Sequence, residues 1–277
     1  MFRRVQPENR PRHCASERAL IVNLDAVIIV LREVLEASML SSLLLALAQR
    51  RQFGTRWFIA AITIGTVCAW AYAEALGPIS ELWDYRGQEL VNAAMQFGIC
   101  LLFIALAAAL HRPGVQTMII TSLMAVIIVL ALTRELSEIL LYLRGFAFQQ
   151  QAWSAWGGSF VGFITGISVG IMLYFLTLWA VDWARAQFTI LAVLAVIVAG
   201  LSLQAVSLLL QVDLLPSRPP LWDSSTLIPE QSLSGQLLYA LIGYEATPTL
   251  WHVIAYTVVV LVIASIIVTR NPRQTAQ

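Results

Sequence analysis

VIIVLREVLEASML, residues 27–40, places three ionisable side chains inside an apolar run, and IIVLALTRELSEILLYL, residues 127–143, repeats the arrangement. In each segment an arginine is followed at once by a glutamate, and a second glutamate comes three residues after the first. An ionisable group at the centre of a bilayer costs roughly 2.5–3.5 kcal/mol. Six such groups therefore predict two clusters that meet inside the membrane: Arg32, Glu33 and Glu36 in the first segment, and Arg134, Glu135 and Glu138 in the second.

The composition is typical of a membrane protein. Of the 277 residues, 59% are hydrophobic and 12% are charged, whereas about 25% of the residues of soluble domains are charged. A helix needs about 20 mainly apolar residues to cross a bilayer. We therefore predict an all-α polytopic membrane protein, embedded in lipid and with no nucleic-acid partner, whose seven transmembrane helices lie near residues 22–48, 57–77, 90–111, 117–143, 157–181, 189–211 and 249–269.

The two charged segments suggest an internal repeat. Their arginines are 102 residues apart, and each segment lies on the first of three consecutive predicted spans. Because three is an odd number, the second copy enters the membrane from the opposite face, as in many secondary transporters. The predicted organisation is an Arg-rich tail (1–20), two inverted three-helix repeats (21–111 and 112–211), a Pro/Ser-rich outer loop (212–248), a seventh helix (249–270) and a carboxyl-terminal tail (271–277). The loop is expected to carry an interfacial helix near Gly235 to Ile242 that ends at Gly243.

The fifth predicted span carries glycines at strict four-residue spacing: Gly158, Gly162, Gly166 and Gly170. On a helix this spacing forms a groove without side chains, into which a neighbouring helix can pack closely. The pattern predicts helix packing. The alternative is a face along which this helix slides or rocks during transport.

The charged motifs have the chemistry of a cation site. Residues three or four apart share one face of a helix, so the two glutamates of each motif can converge while Arg32 pairs with Glu36, and Arg134 with Glu138. Four carboxylates against two guanidinium groups leave a net charge of minus two, which a multivalent cation would balance. Carboxylates are hard oxygen ligands that suit magnesium, calcium, manganese and iron. We predict a metal site formed by Glu33, Glu36, Glu135 and Glu138, with Arg32 and Arg134 as charge partners.

Two other interpretations of the motifs stay open. One is a static salt-bridge cluster that only fixes helix packing. The other is a proton relay, since a buried carboxylate without a partner tends to bind a proton. Such a relay could also accompany a metal, because metal binding displaces protons.

Polar residues on other spans are secondary candidates. Glu89, Asn92 and Gln96 fall on one face at the start of the third span and could form a vestibule for the cation, or simply an ordinary polar helix end. Other polar residues are expected to act mainly as interface anchors or interhelical hydrogen-bond partners: Glu74, His252 and Tyr256. Asp25 is expected to compensate the arginines of the tail.

Together these features resemble the oxidase-dependent iron permease family, which includes the permease of the fungal ferroxidase and permease pair and that of the bacterial elemental ferrous iron uptake system. The resemblance rests on R-E-x-L-E-A in the first span, R-E-x-x-E in the fourth, the glycine-rich fifth span and GYEATPTLWHVIAY at the start of the last span. It covers roughly residues 21 to 270.

The resemblance implies a seven-helix permease of the plasma (inner) membrane that carries iron inward, with the motif glutamates as iron ligands. Iron is then a transported substrate, with no permanently bound cofactor and no enzymatic activity. A separate ferroxidase or periplasmic iron-binding protein is implied as a partner. The amino terminus is expected outside. The arginine counts of the loops agree with this orientation, since seven arginines lie in the inner loops and carboxyl tail and three in the outer loops. The five arginines of the amino-terminal tail, however, bring the outer count to eight.

The chain departs from the family at the third motif position, where Val34 and Leu136 replace a usual glycine. Glycine there would allow close backbone approach, so the width of the site and the identity of its cation remain open. The alternatives are a manganese or other divalent-cation transporter, a membrane enzyme with a carboxylate-bound metal, and a structural subunit of a larger complex.

Overall fold

The computed structural model describes residues 10–112, 114–147, 152–183 and 186–268. Within these ranges the regular secondary structure is entirely helical: α1 (Arg10–Arg50), α2 (Arg56–Ser80), α3 (Leu82–Tyr85), α4 (Gly87–His111), α5 (Thr117–Ala147), α6 (Ala152–Trp183), α7 (Ala186–Gln211), α8 (Leu233–Ile242) and α9 (Leu250–Val268). Six of the seven predicted spans fall within one long helix each, and the seventh, 249–269, overlaps α9 (Leu250–Val268). The predicted carboxyl-terminal tail, 271–277, and the first nine residues of the amino-terminal tail lie outside the described residues.

Five helices are long and apolar enough to cross a membrane: Arg56–Ser80, Gly87–Leu110, Thr117–Gly145, Ala155–Trp179 and Leu191–Gln211. Large apolar side chains on the outer faces of these helices are exposed, including Trp70, Phe160 and Phe175. A bilayer would cover such surface, whereas water would not. The chain is therefore a multi-pass membrane protein. The apolar part of α9, Leu250–Ile266, is shorter, and the apolar run of α1 is interrupted by Arg32, Glu33 and Glu36.

The glycine face of α6 packs against α1. A Cβ atom added to Gly162 would lie 2.5 Å from the carbonyl oxygen of Val27, and one added to Gly166 would lie 2.7 Å from Cγ1 of Val34. Ser42 Oγ donates a hydrogen bond to the Gly170 carbonyl, 2.7 Å away. Gly158, one turn before Gly162, is buried as well. The glycines therefore let the two helices approach backbone to backbone, next to the first charged motif.

A second face of small residues, which the sequence analysis did not single out, packs α2 against α5. Its buried members are four residues apart: Ala61, Gly65, Ala69 and Ala73. A Cβ atom on Gly65 would lie 2.9 Å from Cβ of Leu132. Each motif helix thus contacts one partner helix through a stripe of small residues.

The helices α4, α7 and α9 complete the bundle beside the two motif helices. Of the five membrane-length segments, the α7 segment is the most enclosed, with 67% of its apolar window buried. A single large apolar core joins the helices, and it includes Leu43, Leu44, Ile127, Ile128 and Leu194.

The helix predicted near residues 235–242 is present as α8. Ser232 caps it by accepting a hydrogen bond from the Gly235 backbone N–H at 3.1 Å. Gly243 ends it in the left-handed conformation, with φ at 70°, which glycine adopts without steric cost. The Gly243 backbone lies directly against Gly200 of α7.

Candidate metal centre

The two motif helices bring their charged residues together in the interior. Glu33, Glu36, Arg134 and Glu135 are each at most 4% exposed. Carboxylate oxygens of Glu33, Glu135 and Glu138 all lie within 4.8 Å of one another, close enough to hold one metal ion. Glu36 is not part of this convergent group.

Arg134 occupies the centre of the cluster. Its Nη1 lies 3.5 Å from Oε2 of Glu36 on the facing helix and forms an ion pair with Glu135. Its Nη2 lies 3.4 Å from Oε1 of Glu138, one turn further along α5. One guanidinium group thus contacts three carboxylates. The intrahelical pair of Arg134 and Glu138 follows the predicted spacing, but the contact with Glu36 is tertiary.

Arg32 lies at the edge of the cluster, with 32% of its side chain exposed. Its Nε lies 3.5 Å from Oε1 of Glu36 and 3.8 Å from Oε1 of Glu33. Its guanidinium carbon is 4.8 Å from the ring centroid of Tyr239 on α8, a cation–π distance. The short loop helix therefore contacts the first motif directly.

Neutral side chains complete the cluster. Gln204 of α7 donates a hydrogen bond from Nε2 to Oε1 of Glu36 at 3.3 Å, and Gln96 of α4 donates to Oε1 of Gln204 at 2.7 Å. On the other side, Asn92 donates to Oε1 of Glu138 at 3.3 Å and accepts from the Tyr72 hydroxyl at 2.9 Å. Sequence reasoning missed Gln204, Tyr72 and Tyr239. A glutamine in the middle of the apolar span α7 was the available signal for Gln204.

Two carboxylate oxygens in this cluster have no donor. Oε2 of Glu33 and Oε2 of Glu135 are buried, and neither accepts a hydrogen bond from the described residues. Buried polar atoms are nearly always hydrogen-bonded, and an unpaired one costs about 1–3 kcal/mol, more if it is charged. These two oxygens therefore suit a cation or a shared proton.

The cluster faces a cavity of about 510 Å³. Glu89, Asn92 and Gln96 all line it, together with Glu33 and Glu138. Asn92 and Gln96 also belong to the hydrogen-bond network described above, so these two residues are part of the floor of the cavity. Gln96 is completely buried. Glu89 lies at the cavity wall, in the first turn of α4.

A second cavity, of about 330 Å³, lies between α1, α8 and the loop before α9, and it shares Arg32, Glu33 and Tyr239 with the first. Two acidic residues of the loop, Glu230 and Glu245, line it. Partial burial and the neighbouring Glu230 carboxylate raise the pKa of Glu245 to about 7. The loop thus places a readily protonated carboxyl group in the cavity that also contains Arg32 and Glu33 of the cluster.

The remaining polar candidates lie in other environments. Glu74 forms an ion pair with Arg144 at the surface. His252 is 5% exposed, with Nε2 at 3.0 Å from Ser207 Oγ and Nδ1 accepting from the Thr249 backbone at 3.1 Å. Tyr256 lines a separate apolar cavity with His252, and Asp25 is exposed. None of these side chains touches the cluster.

Val34 and Leu136, the third residues of the two motifs, have a packing role. Val34 is 5% exposed, and its side chain fills the space that a Cβ of Gly166 would occupy. Leu136 packs against the small apolar cluster of Val30, Val34 and Ile139. The Val34 side chain on the motif helix therefore packs against Gly166 on α6.

No protein-family model, curated protein or solved structure matches this chain. The resemblance to iron permeases thus remains a prediction from the motifs.

Proposed function

We propose that this protein is a permease that imports iron, ferric or ferrous, across the plasma (inner) membrane through the carboxylate cluster between α1 and α5. One observation carries the proposal: Oε2 of Glu33 and Oε2 of Glu135 are buried and have no donor among the described residues, within a group of three converging carboxylates. The cluster has four acidic and two basic side chains. A bare static salt-bridge cluster would leave that charge uncompensated, whereas a multivalent cation balances it.

The ligand chemistry favours iron or manganese over zinc or copper. The converging group consists of carboxylates, which are hard oxygen donors, whereas thiolate and imidazole select softer ions. His252 lies apart from the cluster and is already hydrogen-bonded. Iron is accordingly the proposed substrate, and a separate ferroxidase or periplasmic iron-binding protein is the proposed partner on the outer side.

The proposed architecture is seven transmembrane helices in two inverted repeats, α1–α2–α4 and α5–α6–α7, followed by α9, with the amino terminus outside. The helix contacts support this pairing. The motif helix α1 packs on α6 and the motif helix α5 packs on α2, each through a stripe of small residues. In an inverted repeat these two contacts are equivalent. Rocking of one repeat against the other would expose the cluster to each side in turn.

Uptake of radiolabelled iron by cells that express the protein tests the proposal. Glu33→Gln and Glu135→Gln each remove the charge of a carboxylate that has one oxygen without a donor, while keeping its shape, and uptake should fall to background. The matched control is Glu74→Gln, since Glu74 pairs with Arg144 at the surface, away from the cluster. Iron uptake that is unchanged in both cluster variants would falsify the assignment.

Competition decides the identity of the cation. Ferrous, ferric and manganous ions are added in excess, with and without an oxidant, and the ion that suppresses uptake most is the substrate. A metal that stays bound in stoichiometric amount through purification would instead indicate a membrane enzyme.

A further inference from the structure

We infer that the four motif glutamates divide into two classes, and this inference rests on the proposed function. Glu36 is a fixed counter-ion that holds both arginines, and Gln204 is the residue that positions it. The cation ligands are then Glu33, Glu135 and Glu138. Although the repeated motif makes Glu36 and Glu138 equivalent in sequence, their surroundings differ.

Glu36 has little capacity left for a cation. Its Oε1 accepts from Gln204 at 3.3 Å and lies 3.5 Å from Arg32, while its Oε2 lies 3.5 Å from Arg134. A carboxylate offers about four lone-pair directions, and three donors already approach this one. With 2% of the residue exposed, a cation would have to displace an arginine to reach it.

Glu33 and Glu135 have the opposite arrangement. Each has one oxygen near an arginine and a second buried oxygen with no donor. Glu138 completes the converging group; it is the most accessible of the three, with 28% of its side chain exposed, and it lines the larger cavity. A cation that enters from that cavity therefore meets Glu138 first.

Gln204 orients Glu36 without adding charge. Its amide nitrogen donates to Glu36, and its amide oxygen accepts from Gln96 at 2.7 Å, so both ends of the side chain are fixed. Gln204 and Gln96 are 2% and 0% exposed.

Paired substitutions that keep the net charge constant test the division. Glu36→Gln with Arg32→Gln removes one acid and one base, as does Glu33→Gln with Arg32→Gln. We expect the first double variant to bind manganous ion, used as the probe on purified protein in detergent, within about 3-fold of the unmodified protein. The second should bind it at least about tenfold more weakly, because a ligand is lost. Thermal unfolding in detergent identifies any variant that fails to fold.

Gln204→Met separates positioning from a merely structural role. In the unmodified protein it should leave manganous-ion binding within about 3-fold, because its partner Glu36 is not a ligand, and it should lower the thermal unfolding temperature because Glu36 loses a hydrogen-bond donor. In the Glu36→Gln, Arg32→Gln background it should lower the unfolding temperature no further, since its partner carboxylate is gone and the two changes are coupled. A role in packing alone would lower the unfolding temperature equally in both backgrounds.

The outcomes distinguish the two levels of the proposal. If both double variants lose binding to the same extent, or if the Glu33 variant keeps it while the Glu36 variant loses it, Glu36 is a ligand and the division is wrong. If the unmodified protein binds no manganous or ferrous ion and takes up no iron, the proposed function itself fails and the division falls with it.

Discussion

At the scale of single residues, Arg134 is the cation that contacts most of the clustered carboxylates. It is 4% exposed and contacts Glu36, Glu135 and Glu138. If the guanidinium group were removed, Glu135 and Glu138 would lose their main cationic partner within the described part of the chain. Glu36 would still face Arg32.

We therefore expect Arg134→Met to destabilise the protein by about 3–5 kcal/mol, the usual cost of leaving a buried charge unpaired. Arg32→Met should cost much less, because Arg32 is one-third exposed and lies at longer distances from its acids. Thermal unfolding of the two variants in detergent gives the comparison. Equal losses would mean that the two arginines share the charge evenly, contrary to the geometry.

The sequence predicts some of these contacts and not others. The pairs Arg32 with Glu36 and Arg134 with Glu138 follow from the i, i+4 spacing within one helix. The contact from Arg134 to Glu36 depends on how α1 and α5 cross, which periodicity does not encode. Gln204 carries no charge and belongs to no repeated pattern, so its hydrogen bond to Glu36 appears only once α7 is placed.

At the scale of helices, the α1–α6 contact depends on the absence of side chains at particular positions. At Gly162 the obstacle to a Cβ is the Val27 carbonyl oxygen, a backbone atom. A backbone atom cannot rotate away as a side chain can. At Gly157, five residues earlier on the same helix, nothing lies within 4 Å of the added Cβ.

Gly162→Ala should therefore push α6 away from α1, lower thermal stability by about 1–3 kcal/mol, the usual cost of overpacking, and reduce iron uptake. Gly157→Ala is the matched control and should change neither property. Stability in detergent and uptake are measured for both variants. Equal stability and equal uptake in the two variants would show that the close helix approach at Gly162 affects neither property.

The loop before α9 should respond to pH through Glu245. Its pKa in the folded protein, about 7, lies above the ordinary 4.5 because the side chain is partly buried beside Glu230. A raised pKa in an acid means that the proton is bound more tightly in the folded state. The contribution of Glu245 to the stability of the folded protein is then fully present below about pH 4.5 and is lost as the pH rises through about 7.

We expect hydrogen exchange of the 212–248 segment to be faster at about pH 8 than at about pH 6 after correction for the intrinsic pH effect. Glu245→Gln should remove this difference, since an amide stays neutral at both values. A loop that remains equally protected at both pH values in the unmodified protein would contradict the assignment.

Hydropathy and capping residues predict the helices well. Six of the seven predicted spans lie inside a long helix, the seventh overlaps α9, and Gly243 ends α8 as expected. The helix α1 begins earlier than predicted, at Arg10, because Pro11 is compatible with a first helical turn and the polar residues after it do not break a helix. The face of small residues on α2 was not predicted from the sequence, because alanine at three of its four positions is typical of any apolar helix.

At the scale of the whole molecule, the two cavities lie at one end of the bundle. Their lining residues come from the middle of α1, the start of α4, the second half of α5, the end of α7 and the loop with α8. With the proposed amino terminus outside, this end faces outward. The connection between α1 and α2 lies at the opposite end.

Labelling of single cysteines in intact cells checks this orientation. In a protein whose native cysteines are replaced by alanine, Gln88→Cys at the larger cavity should react with a membrane-impermeant maleimide from outside. Thr55→Cys, exposed before α2, should react only after the membrane is permeabilised. The reverse pattern would place the amino terminus inside and turn the proposed import into export.

The close approach of Gly243 to Gly200 links α8, which lines both cavities through Tyr239, to the centre of the protein. Tyr239 lies one turn before Gly243 and covers Arg32, while Gln204 lies one turn after Gly200 and touches Glu36. With no side chain between the two backbones to absorb a displacement, a protein that docks on the outer loop and shifts α8 would also shift α7. We expect such docking to be transmitted mechanically to the acidic cluster, so that an outer partner could influence ion release without ever touching the ion.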